Sequence, residues 1–363
     1  MTLKSEPTRR PRRPPITIGD REIAAGTRET VELPVANLYT HAALTMPVHV
    51  IHGRRPGPTL FVTAAVHGDE LNGVEIIRRV LGQNAISRLA GTLIAVPIVN
   101  VHGVLRLSRY LPDRRDLNRS FPGSSKGSVA ARLAHVVVEE IIAKADYGID
   151  LHTAAVHRAN LPQIRADLSD ETTRAMAEAF GCPLLIDAGL REGSLREHAH
   201  SQGVPLLLYE AGEALRFDEF SIRAGVRGVT NVMRHLRMLT SKRRRRTASR
   251  KPTVALDSNW ERAPESGFLR AVVNLGEHVG KDQPLAYLSE PFGESENVVT
   301  SEHAGIVIGR TMLPLAHAGD ALYHVARVKR AQAVANHVEA YQSDHEPDDR
   351  DETGDDFDEP PIV

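Results

Sequence analysis

Apolar and polar positions along residues 16–240 switch repeatedly between two periods. Period-two alternation at 31–33 and 48–52 predicts short strands with one buried face. Apolar runs at 59–66, 93–98, 147–151, 183–188 and 205–209 have the length of buried strands. Between them, Leu71, Val74, Ile77 and Val80 fall at helical spacing and predict a helix over 69–81. Leu133, Val136, Val137, Ile141 and Ile142 predict another over 129–145. Residues 169–181 and 217–240 read as further helices and 194–202 as a short one. Residues 102–127, rich in Arg, Gly, Pro, Asp and Asn, read as a long irregular loop.

Strands alternating with helices predict an α/β domain over 16–240, with a mixed, mainly parallel sheet flanked by helices. Ligand chemistry in such sheets gathers at the carboxyl ends of the strands. Residues 253–330 change character to short β-like stretches with glycine turns. They hold a repeat: Gly267 leads after thirteen residues to Gly280, and Gly305 leads after fourteen to Gly319, each followed by an apolar stretch. Two such halves predict a small pseudo-symmetric β-sandwich or barrel. The pattern resembles the lipoyl/biotinyl-like barrel, without the Met-Lys-Met type of turn where a prosthetic group attaches. Its expected role is structural or substrate-shaping.

Charge divides the rest. The arm 1–15 carries Lys4, Arg9, Arg10, Arg12 and Arg13, while 344–359 holds ten carboxylates and one arginine. Setting that acidic stretch aside leaves 36 acidic side chains against 44 basic ones, a mildly basic body. Charge without apolar residues cannot build a core, so the basic arm 1–15 and an acidic tail 331–363 are expected to be disordered. The run 242–246, one lysine and four arginines, reads as part of a solvated basic linker, 241–252. As a nucleic-acid patch it lacks interleaved aromatics, and aromatics are only 4% of the chain, so a nucleic-acid partner is disfavoured. No stretch approaches 18 consecutive apolar residues, which argues against a membrane partner, and the basic N-terminus is followed by prolines rather than by an apolar signal core. The cytoplasm is the expected compartment. The oppositely charged tails could touch each other or a neighbouring chain, which leaves a homo-oligomer open.

Cys182 is the only cysteine, so a metal must be held by His, Asp and Glu, and 17 histidines leave room for that. Four segments carry chemistry. His67 and Glu70 stand at a predicted strand-to-helix junction, where an imidazole and a carboxylate can converge on one ion; alone, Glu70 could equally cap the helix. His152 ends another buried strand and completes a His₂Glu set with one open position, with Asp150 placed to orient a ligand histidine. Taken alone, His152 reads as a satisfied core histidine. Asn118 and Arg119 follow Asp116 in the long loop, where a guanidinium fork beside an amide suits a substrate carboxylate; the plainer alternative is a loop held by surface ion pairs. Glu210 ends a third buried run, as a general base near an activated water or as one half of an arginine pair.

These segments, His67–Glu70, Asp116–Gly123, Asp150–Thr153 and Tyr209–Gly212, stand in the order found in the succinylglutamate desuccinylase/aspartoacylase family of zinc carboxypeptidase-like hydrolases, which the chain resembles over roughly residues 45–240. The resemblance implies a zinc hydrolase domain over 16–240 with one Zn²⁺ on His67, Glu70 and His152. It implies Glu210 as general base and acid, and Asn118 and Arg119 on the carboxylate of a small substrate. It also implies Arg109 as the arginine that polarises the scissile carbonyl, with Arg114 and Arg115 as rivals because the Arg109–Asn118 stretch is longer than in aspartoacylases. The implied reaction is hydrolysis of the amide of a small N-acylated amino acid or related amine. A metallocarboxypeptidase acting on peptide C-termini and a non-catalytic binding protein that keeps the fold are the alternatives.

Overall fold

A computed structural model describes residues 13–240 and 251–345. The central feature is a mixed sheet of thirteen strands. Its middle is parallel: Ala90–Val96, Arg55–Ala64, Tyr147–His152 and Leu206–Gly212 lie side by side with the same direction. Thr27–Asn37 and Ala43–His52 extend one side antiparallel. Arg158–Ala166 runs antiparallel to Leu206–Gly212 on the other side.

Helices cover both faces, as the alternating pattern predicts. Asn72–Gly82, Glu171–Phe180 and Glu219–His235 bury Ile76, Phe180 and Val229 on one face. Val129–Glu140 and Leu195–Ser201 bury Val137 and Leu195 on the other. The loop expected over 102–127 contains a short helix, Val101–Leu105, and one 3-10 turn, Leu117–Arg119. Among the described residues no helix is long and apolar enough to cross a membrane.

Three differences from the sequence reading have physical causes. The sequence pattern does not show strand Arg158–Ala166, because Pro162 interrupts it and the apolar alternation changes phase there, from Ala159 and Leu161 to Ile164 and Ala166. A register shift opposite Glu210 and Gly212 admits an extra residue there, and such a bulge tolerates a proline that a regular ladder would not. Residues 331–343, assigned to the acidic tail, instead form helix Ala331–Ser343, which buries Val334 and Val338 in a cluster with Ile306, Ile308 and Ile186. The apolar face of that helix outweighs its single carboxylate, Glu339, and the dense acidic run begins only at Asp344. The basic run 242–246 and most of both tails lie outside the described residues.

The C-terminal segment joins the central sheet through its strands. Gly305–Thr311 pairs with Arg158–Ala166, and Ala321–Arg327 and Asp257–Arg262 continue the sheet outward. A second, four-stranded antiparallel sheet packs against this extension through Leu269, Leu285, Val307 and Val325. The internal repeat is realised as an exchange. Short strand His278–Val279 of the first half pairs with Gly305–Thr311 of the second, and Leu315–Ala316 of the second pairs with Gly267–Ala271 of the first.

A fully buried apolar side chain is worth about 1.5–3 kcal/mol. A chain ended at residue 330 loses both Val334 and Val338, so its unfolding free energy in a urea titration is expected to fall by at least about 1.5 kcal/mol. An unchanged midpoint would mean that the helix contributes nothing to the fold.

Candidate metal centre and active site

The strand Arg55–Ala64 ends in a sharp turn. Ala65 takes a left-handed backbone, φ 51°, and aims the chain toward the carboxyl end of the sheet. His67 follows, and Gly68 lets the backbone of Gly103 approach so closely that a Cβ would lie 2.0 Å from its carbonyl carbon. Glu70 is not on the first helical turn, as the periodicity suggests. It sits in a tight turn before the helix, its N–H donating to the His67 carbonyl.

His67, Glu70 and His152 meet at this point, all buried, with ligand atoms within 4.8 Å of one another. Nδ1 of each histidine lies 2.7 Å from one oxygen of Glu70. The Thr153 N–H donates to the oxygen shared with His152 at 3.1 Å. Behind each imidazole stands a second carboxylate. Asp150 Oδ2 is 2.7 Å from His152 Nε2, and the Thr63 hydroxyl donates to the other oxygen, Oδ1, at 2.7 Å. Asp116 Oδ1 is 3.1 Å from His67 Nε2. Carboxylates in these places fix the ring orientation and leave Nδ1 for an ion. The group can therefore hold a metal with three protein ligands and an open position. Cys182 takes no part; burial pushes its thiol up to about 12.

Burial disfavours charge throughout the cluster, and the opposite charges outweigh it. Burial pushes the Glu70 carboxyl up, but His67 and His152 together hold it well below the usual carboxylate range. Asp116 is likewise held low against burial by His67 and Arg109. Burial opposes the imidazolium forms, yet Glu70 and Asp116 raise His67, and Asp150 and Glu70 raise His152 well above its ordinary value.

The other expected residues surround this cluster. Arg109 donates to Glu70 Oε1 at 3.1 Å and to Asp116 Oδ2 at 3.3 Å. Its rivals Arg114 and Arg115 are exposed, and Arg115 faces Asp113 at 3.9 Å. Glu210 stands beside His152 in parallel register. Its Oε2 accepts from Asn160 Nδ2 at 2.8 Å, and its Oε1 lies 3.8 Å from Arg165 Nε. Asn118 and Arg119 occupy the 3-10 turn that Asp116 caps. The Asn118 side-chain oxygen Oδ1 accepts from the Leu195 N–H at 2.9 Å, which leaves its amide NH₂ for an acceptor, and the exposed Arg119 side chain donates through Nη1 to the Asn118 backbone carbonyl.

Three contributors escaped the sequence reading. Asp116 stands in an irregular loop seven residues from Arg109, so no local periodicity announces its contacts with His67 and Arg109. Thr63 was legible as the strand neighbour of Asp150 only once the register was known. Asn160 lies on the unrecognised strand.

A group raised in the folded state adds stability that is full below its unfolded pKa, about 6.5 for histidine, and is lost as the pH climbs through the folded value. Chelator-treated protein is therefore expected to melt at a lower temperature at pH 9 than at pH 6.5. In His152→Ala that decline should be shallower; equal slopes would show that His152 is not paired as described.

Comparison with known proteins identifies the family and the fold. Residues 56–236 match the family model of the succinylglutamate desuccinylase/aspartoacylase catalytic domain. The chain is 26% identical over 316 residues to the N-alpha-acetyl-L-2,4-diaminobutyric acid deacetylase of Halomonas elongata, covering 82% of this chain and 90% of that protein. Among solved structures, succinylglutamate desuccinylase/aspartoacylase from Rhodobacter sphaeroides superposes with a TM-score of 0.73 at 24% identity, covering 83% of this chain and 96% of that one. The product-bound ectoine utilization protein EutE (DoeB) from Ruegeria pomeroyi has the same TM-score and identity, over 83% and 95% of the two chains. These structures share the fold: a large α/β sheet flanked by helices with C-terminal antiparallel sheets. The chain belongs to the succinylglutamate desuccinylase/aspartoacylase family of deacylating hydrolases.

Proposed function

We propose that the protein is a zinc-dependent deacylase that hydrolyses the amide of a small N-acylated amino acid or related amine. The observation that carries this reading is the convergence of His67, Glu70 and His152, each histidine backed by a carboxylate, with Glu210 in register beside His152. One zinc ion on those three side chains would supply Lewis acidity toward water and toward the scissile carbonyl. Glu210 takes the proton from the attacking water and returns it to the departing amine. Arg109, already beside the ligand oxygens, faces the negative charge that develops on the carbonyl oxygen, where a fixed donor lowers the barrier most. Asn118 and Arg119 hold a carboxylate of the substrate, the amide by its NH₂ and the guanidinium by its fork.

The deacetylase relative acts, by its name, on an Nα-acetylated diamino acid, which supports an N-acyl amino acid here. The C-terminal segment borders the strand next to Glu210 and favours a small substrate over a peptide.

The test pairs metal analysis with a hydrolysis panel of N-acyl amino acids, including Nα-acetyl-L-2,4-diaminobutyrate, and C-terminal dipeptides. Near one zinc per chain is expected, with hydrolysis of an N-acyl amino acid. Glu210→Gln should keep the zinc and lose at least about 100-fold in kcat. Zinc-loaded protein that cleaves only the dipeptides would replace deacylase by carboxypeptidase, and protein that takes up no zinc would remove the metal from the mechanism.

Arg119→Ala should raise KM for carboxylate-bearing substrates about tenfold or more, since a charge-assisted pair contributes roughly 1.5–3 kcal/mol. An uncharged analogue, such as the amide of the same substrate, should change little. Equal effects on both would take Arg119 off the substrate carboxylate.

A further inference from the structure

Glu210 is held by a part of the chain that the proposed chemistry does not use. Among the described residues, the hydrogen bond from Asn160 Nδ2 is the one that its carboxylate receives, at 2.8 Å on Oε2. Arg165 Nε, at 3.8 Å from Oε1, is too far to donate. Asn160 is 8% exposed.

Two irregularities put it there. Glu210 pairs with Gln163 and Gly212 with Asn160, so the four residues 160–163 face the three residues 210–212. Strict alternation would send Asn160 and Gln163 to opposite faces; the bulge puts both on the face of Glu210. The second lies on the far side, where the pairing of Gly305–Thr311 with Ala321–Arg327 slips between Val307 and Gly309. Gly309 then stands opposite both Asn160 and His324. A Cβ on Gly309 would lie 2.8 Å from Asn160 Oδ1, 3.3 Å from His324 Cβ and 3.6 Å from Trp260 Cη2. The Asn160 amide thus rests over a glycine, with His324 stacked on Trp260 at 4.6 Å beyond it and the Arg158 guanidinium 5.1 Å from the Trp260 ring. His324 is 4% exposed, and burial with nearby Arg165 holds its imidazole down to about 3, so it stays neutral and packs as an aromatic plate.

We propose that Asn160 is a positioning residue for Glu210, and that the C-terminal β segment, through Gly309, sets where Asn160 stands. The proposal rests on the reading of Glu210 as the general base. A neutral amide on one oxygen fixes the carboxylate plane and leaves the other oxygen to exchange a proton. The C-terminal segment is on this account part of the catalytic apparatus rather than only a wall beside it.

The test uses the full, zinc-loaded chain and the panel substrate that wild type hydrolyses fastest. Asn160→Ala should lower kcat by about 10- to 100-fold with KM within about twofold, the range expected when a supporting shell is removed. Asn160→Asp keeps the shape but not the donor and should fall at least as far. Gly309→Ala should also lose kcat, and the double variant Gly309→Ala/Asn160→Ala should be no worse than Asn160→Ala, because both act through one contact. Independently of turnover, a crystal structure of Asn160→Ala should show the Glu210 carboxylate turned from its wild-type position.

Asn160→Asp with wild-type kcat would make Asn160 a space-filler and overturn the proposal, as would an unmoved Glu210 in Asn160→Ala. Additive losses in the double variant would overturn the part assigned to Gly309. Trp260, the only tryptophan of the chain, reports through its emission whether the segment stays packed. If Gly309→Ala disturbs that emission, the two Asn160 variants decide the matter without it. Full turnover in Glu210→Gln would instead remove the underlying base reading. Loss of turnover there, with fully active Asn160 variants, would sink this proposal alone.

Discussion

A carboxylate kept charged while buried is the condition on which this site depends. Glu70 is 2% exposed. Left alone in such a place, it would take up a proton rather than bear the cost of desolvation. Instead its two oxygens meet two imidazoles, the Thr153 N–H and the Arg109 guanidinium, and Asp116 and Asp150 back the imidazoles in turn. Positive and negative groups alternate outward, so each is costly alone and compensated in company. A cation among the three innermost side chains would take the place of the imidazole protons while the backing carboxylates stay where they are. The same arrangement that holds the charged cluster together is the one that can hold a metal.

The backbone meets this condition through the parallel register. Thr63, Asp150 and Leu208 lie abreast on three strands, as do His152 and Glu210 two residues further on. Residues separated by up to 147 positions, Thr63 to Glu210, thereby share one edge of the sheet. Asn72 ties this edge to the next elements: its amide reaches the Ala211 carbonyl and accepts from the Asp218 N–H. The strand that carries Glu210 is thus fixed against the helix that follows Glu70.

The C-terminal segment is coupled to the same edge by hydrogen bonding rather than by loose contact. Its strands prolong the central sheet through Arg158–Ala166, and its two halves hold each other by exchanging short strands. One bulge, between Arg158–Ala166 and Leu206–Gly212, falls next to Glu210; the other, between Gly305–Thr311 and Ala321–Arg327, falls next to Gly309. Bulges re-aim side chains, and these two turn Asn160 and His324 toward the face that carries the chemistry.

The sequence by itself determined the alternation of strands and helices, the identity of the three candidate ligands, and the loop that carries Asn118 and Arg119. Each depends on local facts: periodicity, residue chemistry, and a short spacing at a strand end. It also made the internal repeat visible, because similar halves leave similar spacings of glycine and apolar residues. It did not reveal Arg158–Ala166, whose Pro162 contradicts strand propensity and is accommodated only by a bulge. It misassigned Ala331–Ser343, whose apolar stripe acquires meaning only against Ile306 and Ile308. It left three arginines competing for one role, and the structure puts Arg109 alone beside Glu70, with Arg114 and Arg115 exposed. Tertiary structure decided these matters because they turn on which distant segments become neighbours. Register, bulges and burial are properties of pairs of segments, and no pattern along one segment contains them.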